Sequence, residues 1–175
     1  MSRLLSLAVA SGLLCSAAIS PALAAGGALM GPNNAPRGNV TVTAAPKGVI
    51  LKVEATGLTP GWHGIHFHEK GDCSNADFTS AGAHVHASGT PTPVVHGLLN
   101  PKANDSGDLP NIYAGADGRA FAEIYSPLVL LNTGGSLPAL LDADGAAIII
   151  HANPDDHLAQ PIGGAGARVA CAVIK

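Results

Sequence analysis

Charged side chains are scarce, at 12% of 175 residues against about 25% in an ordinary soluble domain. Nine Lys and Arg face twelve Asp and Glu, a net charge of −3, so there is no basic surface to release counterions from a phosphate backbone and no nucleic-acid partner is expected. Disorder is excluded as well, since 47% of the chain is hydrophobic and a disordered chain needs low hydrophobicity with high net charge. Sustained helical periodicity is missing, and so is any internal repeat. No apolar run reaches the roughly 20 residues that a membrane span requires. The longest, Leu4 to Ile19, is broken by Ser6, Ser11 and Gly12.

That run has another reading. Arg3 precedes it and Ala22-Leu23-Ala24 follows it, so residues 1–24 form a charged, apolar and small-residue series of the kind removed from exported proteins. The mature chain is then expected to be exported, with no membrane association after cleavage. Residues 25–38 read as a flexible N-terminal segment, with one domain following over 39–175. Cleavage removes Cys15 and leaves Cys73 and Cys171. In an oxidising compartment a disulfide is the simplest fate for two cysteines, the alternative being two buried free thiols.

Glycine and proline together make 35 of the 175 residues (22 Gly and 13 Pro), which implies many turns. Residues 39–43 and 49–55 are β-branched and partly alternating on either side of Ala45-Pro46-Lys47-Gly48, the pattern of a hairpin. Further strands are expected over 62–69, 118–125, 146–151 and 168–174. The class is all-β, a sandwich or flattened barrel. From Glu69 to Gly118 the strand pattern vanishes. A loop of that length is functional when ordered, and this one holds Cys73, His84, His86, His96, Asp105 and Asp108.

Eight histidines in so weakly charged a chain need an explanation. His66 and His68 lie two apart in a strand and share a face, and imidazole suits copper and zinc. His151 closes the apolar run 146–150, while Asp105 and Asp108 offer oxygen ligands better matched to zinc. Spacing alone leads to an exported β-protein with a histidine-rich metal centre.

Two longer motifs go further. Gly64-Ile-His-Phe-His-Glu-Lys-Gly-Asp-Cys-Ser74 resembles the first copper-binding signature of copper/zinc superoxide dismutases, and Gly163-Gly-Ala-Gly-Ala-Arg-Val-Ala-Cys-Ala-Val-Ile174 is similar to their second. Ser80–His84, Gly107–Asn111 and 150–156 fall between them in family order, and the Gly-Asp-Cys form resembles the bacterial periplasmic branch. The resemblance implies an eight-stranded Greek-key barrel, a homodimer or monomer, that dismutates superoxide to dioxygen and hydrogen peroxide. It implies copper on His66, His68, His84 and His151, cycling between Cu(II) and Cu(I). It implies structural zinc on His84 and His96 with Asp108, His84 being shared, and Asp155 as the carboxylate linking a copper histidine to a zinc histidine. It also implies Arg168 beside the copper channel and a disulfide between Cys73 and Cys171.

Two departures stand out. The family carries a third zinc histidine three residues before the aspartate of Gly-Asp-Leu, where this chain has Asp105, which we take as the substitute ligand. The rival is His86, in the stretch Val85-His86-Ala87 that replaces the usual Phe-Asn-Pro. His63 is expected to face away from the metals and His157 to lie on the surface. A second function remains open at this point, a periplasmic protein that binds copper or zinc without turnover. Arg168 argues against it, because a metal buffer has no use for a guanidinium beside the ion.

Overall fold

The computed structural model describes residues 23–175, so the expected leader lies almost wholly outside the described residues. Eleven strands follow in chain order: β1 (Ala24–Gly31), β2 (Ala35–Ala44), β3 (Val49–Ala55), β4 (Gly61–His63), β5 (Ile65–His68), β6 (Ile112–Ala114), β7 (Ala120–Ser126), β8 (Leu130–Asn132), β9 (Ala139–Leu141), β10 (Ala146–His151) and β11 (Arg168–Ile174). Seven form one antiparallel sheet in the order β5-β10-β11-β1-β2-β3-β7. Two short pairs, β4 with β6 and β8 with β9, stand beside it. The class is the all-β architecture expected, with a curled main sheet rather than eight equal staves.

Alternation decides which side of each strand is dry. In β3, Val49, Leu51, Val53 and Ala55 are buried while Lys52 and Glu54 are exposed, the pattern of a sheet with one face on the core. β10 is different: all six of its residues are buried. Ile148 and Ile150 join the main core, whereas Ala147 and Ile149 pack on the opposite face with Phe78, Ala81 and Cys171. A second layer therefore covers the outside of this end of the sheet, and it is made of loop.

β5 carries the same division. Ile65 and Phe67 point into the core, so His66 and His68 emerge under the covering loop. The free edge of β5, which would otherwise be open to a foreign strand, is closed by that loop: Val85 N–H donates to Phe67 O and Phe67 N–H to Gly107 O, both at 2.9 Å. The result is a pair of isolated bridges, His68 opposite His84 and His66 opposite Asp108. Gly107 is required there, since a Cβ would lie 2.3 Å from Phe67 O.

Two expectations are corrected. Residues 25–38 are not a flexible segment: β1 lies inside the sheet between β2 and β11, and β2 begins at Ala35. Its Ala- and Gly-rich sequence has little strand preference of its own; pairing on both sides supplies it. The single strand expected over 62–69 is two, broken at Gly64, whose N–H turns to Asn153 O and whose carbonyl accepts from His151 N–H.

Cys73 and Cys171 are bonded. The bridge fastens the covering loop to β11 across a sequence separation of 98, and closing so long a loop removes much entropy from the unfolded chain. Cys73→Ser with Cys171→Ser is expected to lower the stability of the metal-free protein by about 2–5 kcal/mol, read from urea unfolding. An unchanged midpoint and slope would show that packing alone holds the loop.

Candidate metal centre

Four imidazoles converge above β5 and β10. His66, His68, His84 and His151 are all buried, and each offers a ring nitrogen lying within 4.8 Å of the others. The outward nitrogen of each ring is tied down. His66 Nε2 donates to Asp155 Oδ2 at 2.9 Å, His68 Nδ1 to Gly82 O at 3.0 Å, His84 Nδ1 to Asp105 Oδ2 at 2.8 Å and His151 Nδ1 to Gly166 O at 3.0 Å. Carbonyl and carboxylate oxygens only accept, so these nitrogens carry the protons. The four inward nitrogens, His66 Nδ1 and Nε2 of His68, His84 and His151, are buried and have no hydrogen-bond partner among the described residues. Buried polar atoms are almost always satisfied. Converging nitrogens with nothing to bond suit one cation with an affinity for imidazole.

A second cluster shares His84. Its Nδ1 lies 2.8 Å from Asp105 Oδ2 and 3.3 Å from Asp108 Oδ1, while His96 Nδ1 lies 3.9 and 2.6 Å from the same two atoms. A tetrahedral zinc with bonds of about 2.0 Å separates its ligands by about 3.3 Å, so two nitrogens and two oxygens at these spacings suit a small divalent ion. His86 is elsewhere. Its Nδ1 donates to His84 O at 3.0 Å, and it lines a cavity together with His84, Asp105 and Arg168.

Asp155 joins the clusters. Its carboxylate receives His66 Nε2 at 2.9 Å and His96 Nε2 at 3.0 Å. Carboxylates placed in this way fix the orientation of ligating rings. Gly163, at φ 58°, leaves room for it, because a Cβ would fall 1.6 Å from Asp155 Oδ1. Two neighbours lie outside the sequence reading, and a third departs from it. Asn111 brackets the Asp155 main chain, accepting from its N–H at 2.9 Å and donating to its carbonyl at 2.8 Å. Gln160 brackets the His96 main chain in the same way. His157, expected on the surface, is largely buried beside Asp155, to which its N–H donates at 2.6 Å. The motif around Asp155 pointed to this neighbourhood, but nothing in the spacing marked these partners. His63 faces away from the four-ring cluster, its nitrogens against His151 O and Thr59 O.

The two clusters hold protons differently. Burial pushes His66 down to about 3 and His151 down to about 4, and holds His68 lower still. These rings are neutral at ordinary pH, with lone pairs available. Burial also opposes charge on His84 and His96, but the carboxylates beside them outweigh it: Asp105 and Asp108 raise His84, while Asp108 and Asp155 raise His96 to about 10. Asp108 and Asp155 lie well below the usual carboxylate range despite burial, Asp108 held there by His84 and His96 and Asp155 by His66 and His96.

Arg168 stands at the entrance. Its Nη1 and Nη2 donate to Phe78 O and Gly82 O, both at 2.7 Å, so the guanidinium is fixed. Gly82 O serves His68 too. A cavity of about 260 Å³ is lined by Arg168, His84, Val94, Asp105, Pro161 and Ile162, among others.

A family model for copper/zinc superoxide dismutase matches residues 36–174. The chain belongs to the copper/zinc superoxide dismutase family. It is 72% identical over 138 residues to the Cu-Zn superoxide dismutase of Caulobacter vibrioides, covering 79% of this chain and 78% of that one. A second such enzyme, from Aquifex aeolicus, is 36% identical over the full length of both chains. Among solved structures, a superoxide-dismutase-like protein of Bacillus subtilis superposes with a TM-score of 0.75 at 35% identity, covering 85% of this chain and 95% of that one. The Cu/Zn superoxide dismutase of Brucella abortus gives 0.66 at 27% identity, covering 89% and 100%. Family membership makes the chain an oxidoreductase that dismutates superoxide, with copper and zinc as its metals.

The proton inventory predicts how the metal-free protein responds to pH. His66, His68 and His151 resist protons in the folded state that the unfolded chain takes up near 6.5, so stability falls as pH drops from there towards about 3. His96 has the opposite sign: its contribution is complete below 6.5 and is lost as pH rises through about 10. The unfolding midpoint of the metal-free protein is therefore expected to peak near neutrality, and His96→Gln should flatten the alkaline limb. A midpoint flat from pH 5 to 9 would contradict this inventory.

Proposed function

We propose that the chain dismutates superoxide in the periplasm, with copper on His66 Nδ1 and on Nε2 of His68, His84 and His151. Zinc takes His84 Nδ1, His96 Nδ1, Asp105 and Asp108. The observation that carries the reading is the set of four buried ring nitrogens aimed at one point with no partner. The location is supported by the disulfide, by bacterial relatives and by the leader-like residues 1–24.

Copper, when bound, supplies a one-electron couple able both to oxidise and to reduce superoxide, while zinc, which has no such couple, holds the loop. The rest belongs to the side chains. Arg168 gives the anion a fixed positive charge at the cavity wall, and two carbonyls keep that charge from swinging away. His84 lines the same cavity. Whenever its Nε2 is not ligating, it is the group placed to hold a proton there and give it to the reduced substrate. Arg168 is also what a metal store would lack.

The test of the copper side is steering. Arg168→Glu is expected to lower the catalytic rate at least tenfold and to reverse its salt dependence, since a charge acts on an incoming anion within roughly 8–10 Å. Copper content should hold. Unchanged activity at low ionic strength would remove Arg168 from the mechanism.

The zinc assignment is tested separately. Asp105 is supported by its spacing from His84 and His96, whereas the Nδ1 of His86 is spent on a neighbouring carbonyl. Zinc per chain should fall in Asp105→Ala and persist in His86→Ala, with copper measured in parallel. The reverse pattern would move the ligand to His86.

A further inference from the structure

We propose that Gln160 is a positioning residue for the zinc site, one that sets the ring of His96 by gripping its main chain from the opposite loop. The proposal rests on the reading of His96 as a zinc ligand.

Gln160 lies 64 residues after His96 in sequence, yet its amide forms a closed ring with that residue's backbone. His96 N–H donates to Oε1 at 2.9 Å, and Nε2 donates to His96 O at 2.8 Å and to Leu158 O at 2.9 Å. His96 sits in a stretch without regular structure, where no strand ladder holds its φ and ψ. Its ring must nevertheless meet two oxygens at once, Asp108 Oδ1 at 2.6 Å and Asp155 Oδ1 at 3.0 Å. A small rotation of the backbone would break one contact or the other.

The bracket has a counterpart running the other way. Gln160, in the segment between β10 and β11, holds His96 in the loop before β6. Asn111, at the end of that loop, holds Asp155 in the segment between β10 and β11. The two gripped residues are joined through their side chains. The run of contacts Asn111–Asp155–His96–Gln160 thus ties the two loops together, and both loops contribute to each half of it. Gln160 is the exposed member, so its use is not to fill a core. Its value is that one side chain offers a donor and an acceptor at the spacing of a peptide group, and of the other side chains only asparagine does so, one methylene shorter.

That chemistry makes the proposal testable by near-isosteres. Gln160→Glu keeps the shape and the acceptor but turns a carboxylate towards two carbonyl oxygens, and Gln160→Met keeps the length with neither function. Zinc affinity would be measured by chelator competition, and the ligand field by the visible spectrum of cobalt(II) in the zinc site, with copper(II) EPR alongside. Losing a partner that orients a ligating histidine costs about 10–100-fold in metal affinity; a loss near tenfold is expected for both variants, with shifted cobalt bands. Affinities within about twofold of the parent, with an unchanged cobalt spectrum, would overturn the proposal even if both variants melted at lower temperature, because a purely structural tie would behave that way. His96→Ala separates the two levels. If it still binds zinc and cobalt(II) like the parent, the reading of His96 fails and the proposal fails with it. If it loses both while the Gln160 variants bind like the parent, only the bracket fails.

Discussion

Everything at the centre hangs on the register of β5. Because successive side chains in a strand point to opposite faces, Ile65 and Phe67 enter the core only if His66 and His68 leave it, and a slip of one residue would exchange the two sets. Burying two imidazoles in the aliphatic core would be costly, and so would exposing Ile65 and Phe67 to the loop. The pairing of β5 with β10, His66 opposite Ile149 and His68 opposite Ala147, therefore fixes the metal-facing rings with the same free energy that fixes the core. His151 then comes from the end of β10, and His84 and Asp108 come from the chain that closes the free edge of β5.

The two clusters, separated by one imidazole, divide the electrostatic labour. On one side burial strips protons from His66, His68 and His151; on the other, carboxylates retain them on His84 and His96. The metal-free protein thus keeps protons on the two rings among the carboxylates and bare nitrogen on the three rings that burial strips. Asp105 deepens the contrast, since a carboxylate where the family has histidine adds a negative charge beside the shared ring.

Much of this was legible in the chain because it is periodic or because it ligates. Residues 49–55, 146–151 and 168–174 are strands with the expected bounds, each with β-branched or apolar residues enough to announce itself. β1 was not legible, since Ala and Gly become a strand only when neighbours on both sides offer hydrogen bonds. The ligand candidates could be collected from residue type and spacing. Their supports could not: Asn111, Gln160 and the main chain of His157 act through amide geometry that no spacing rule encodes. His157 was misjudged for the same reason, because a polar residue among turn residues reads as surface until the carboxylate it serves is placed beside it.

The position of β1 bears on how the molecule comes to exist. Its partners are β2, a few residues away, and β11, whose Cys171 stands opposite Met30. The middle of the sheet is therefore a seam between strands far apart in sequence, and it cannot be sewn until β11 is present. Closing so distant a contact is slow, and until then the core strands have no complete sheet to join. Until β11 arrives, β1 has β2 as its partner on one side only. Arg168 and Cys171 ride on the same strand, so the guanidinium and the disulfide are both placed only when that seam closes.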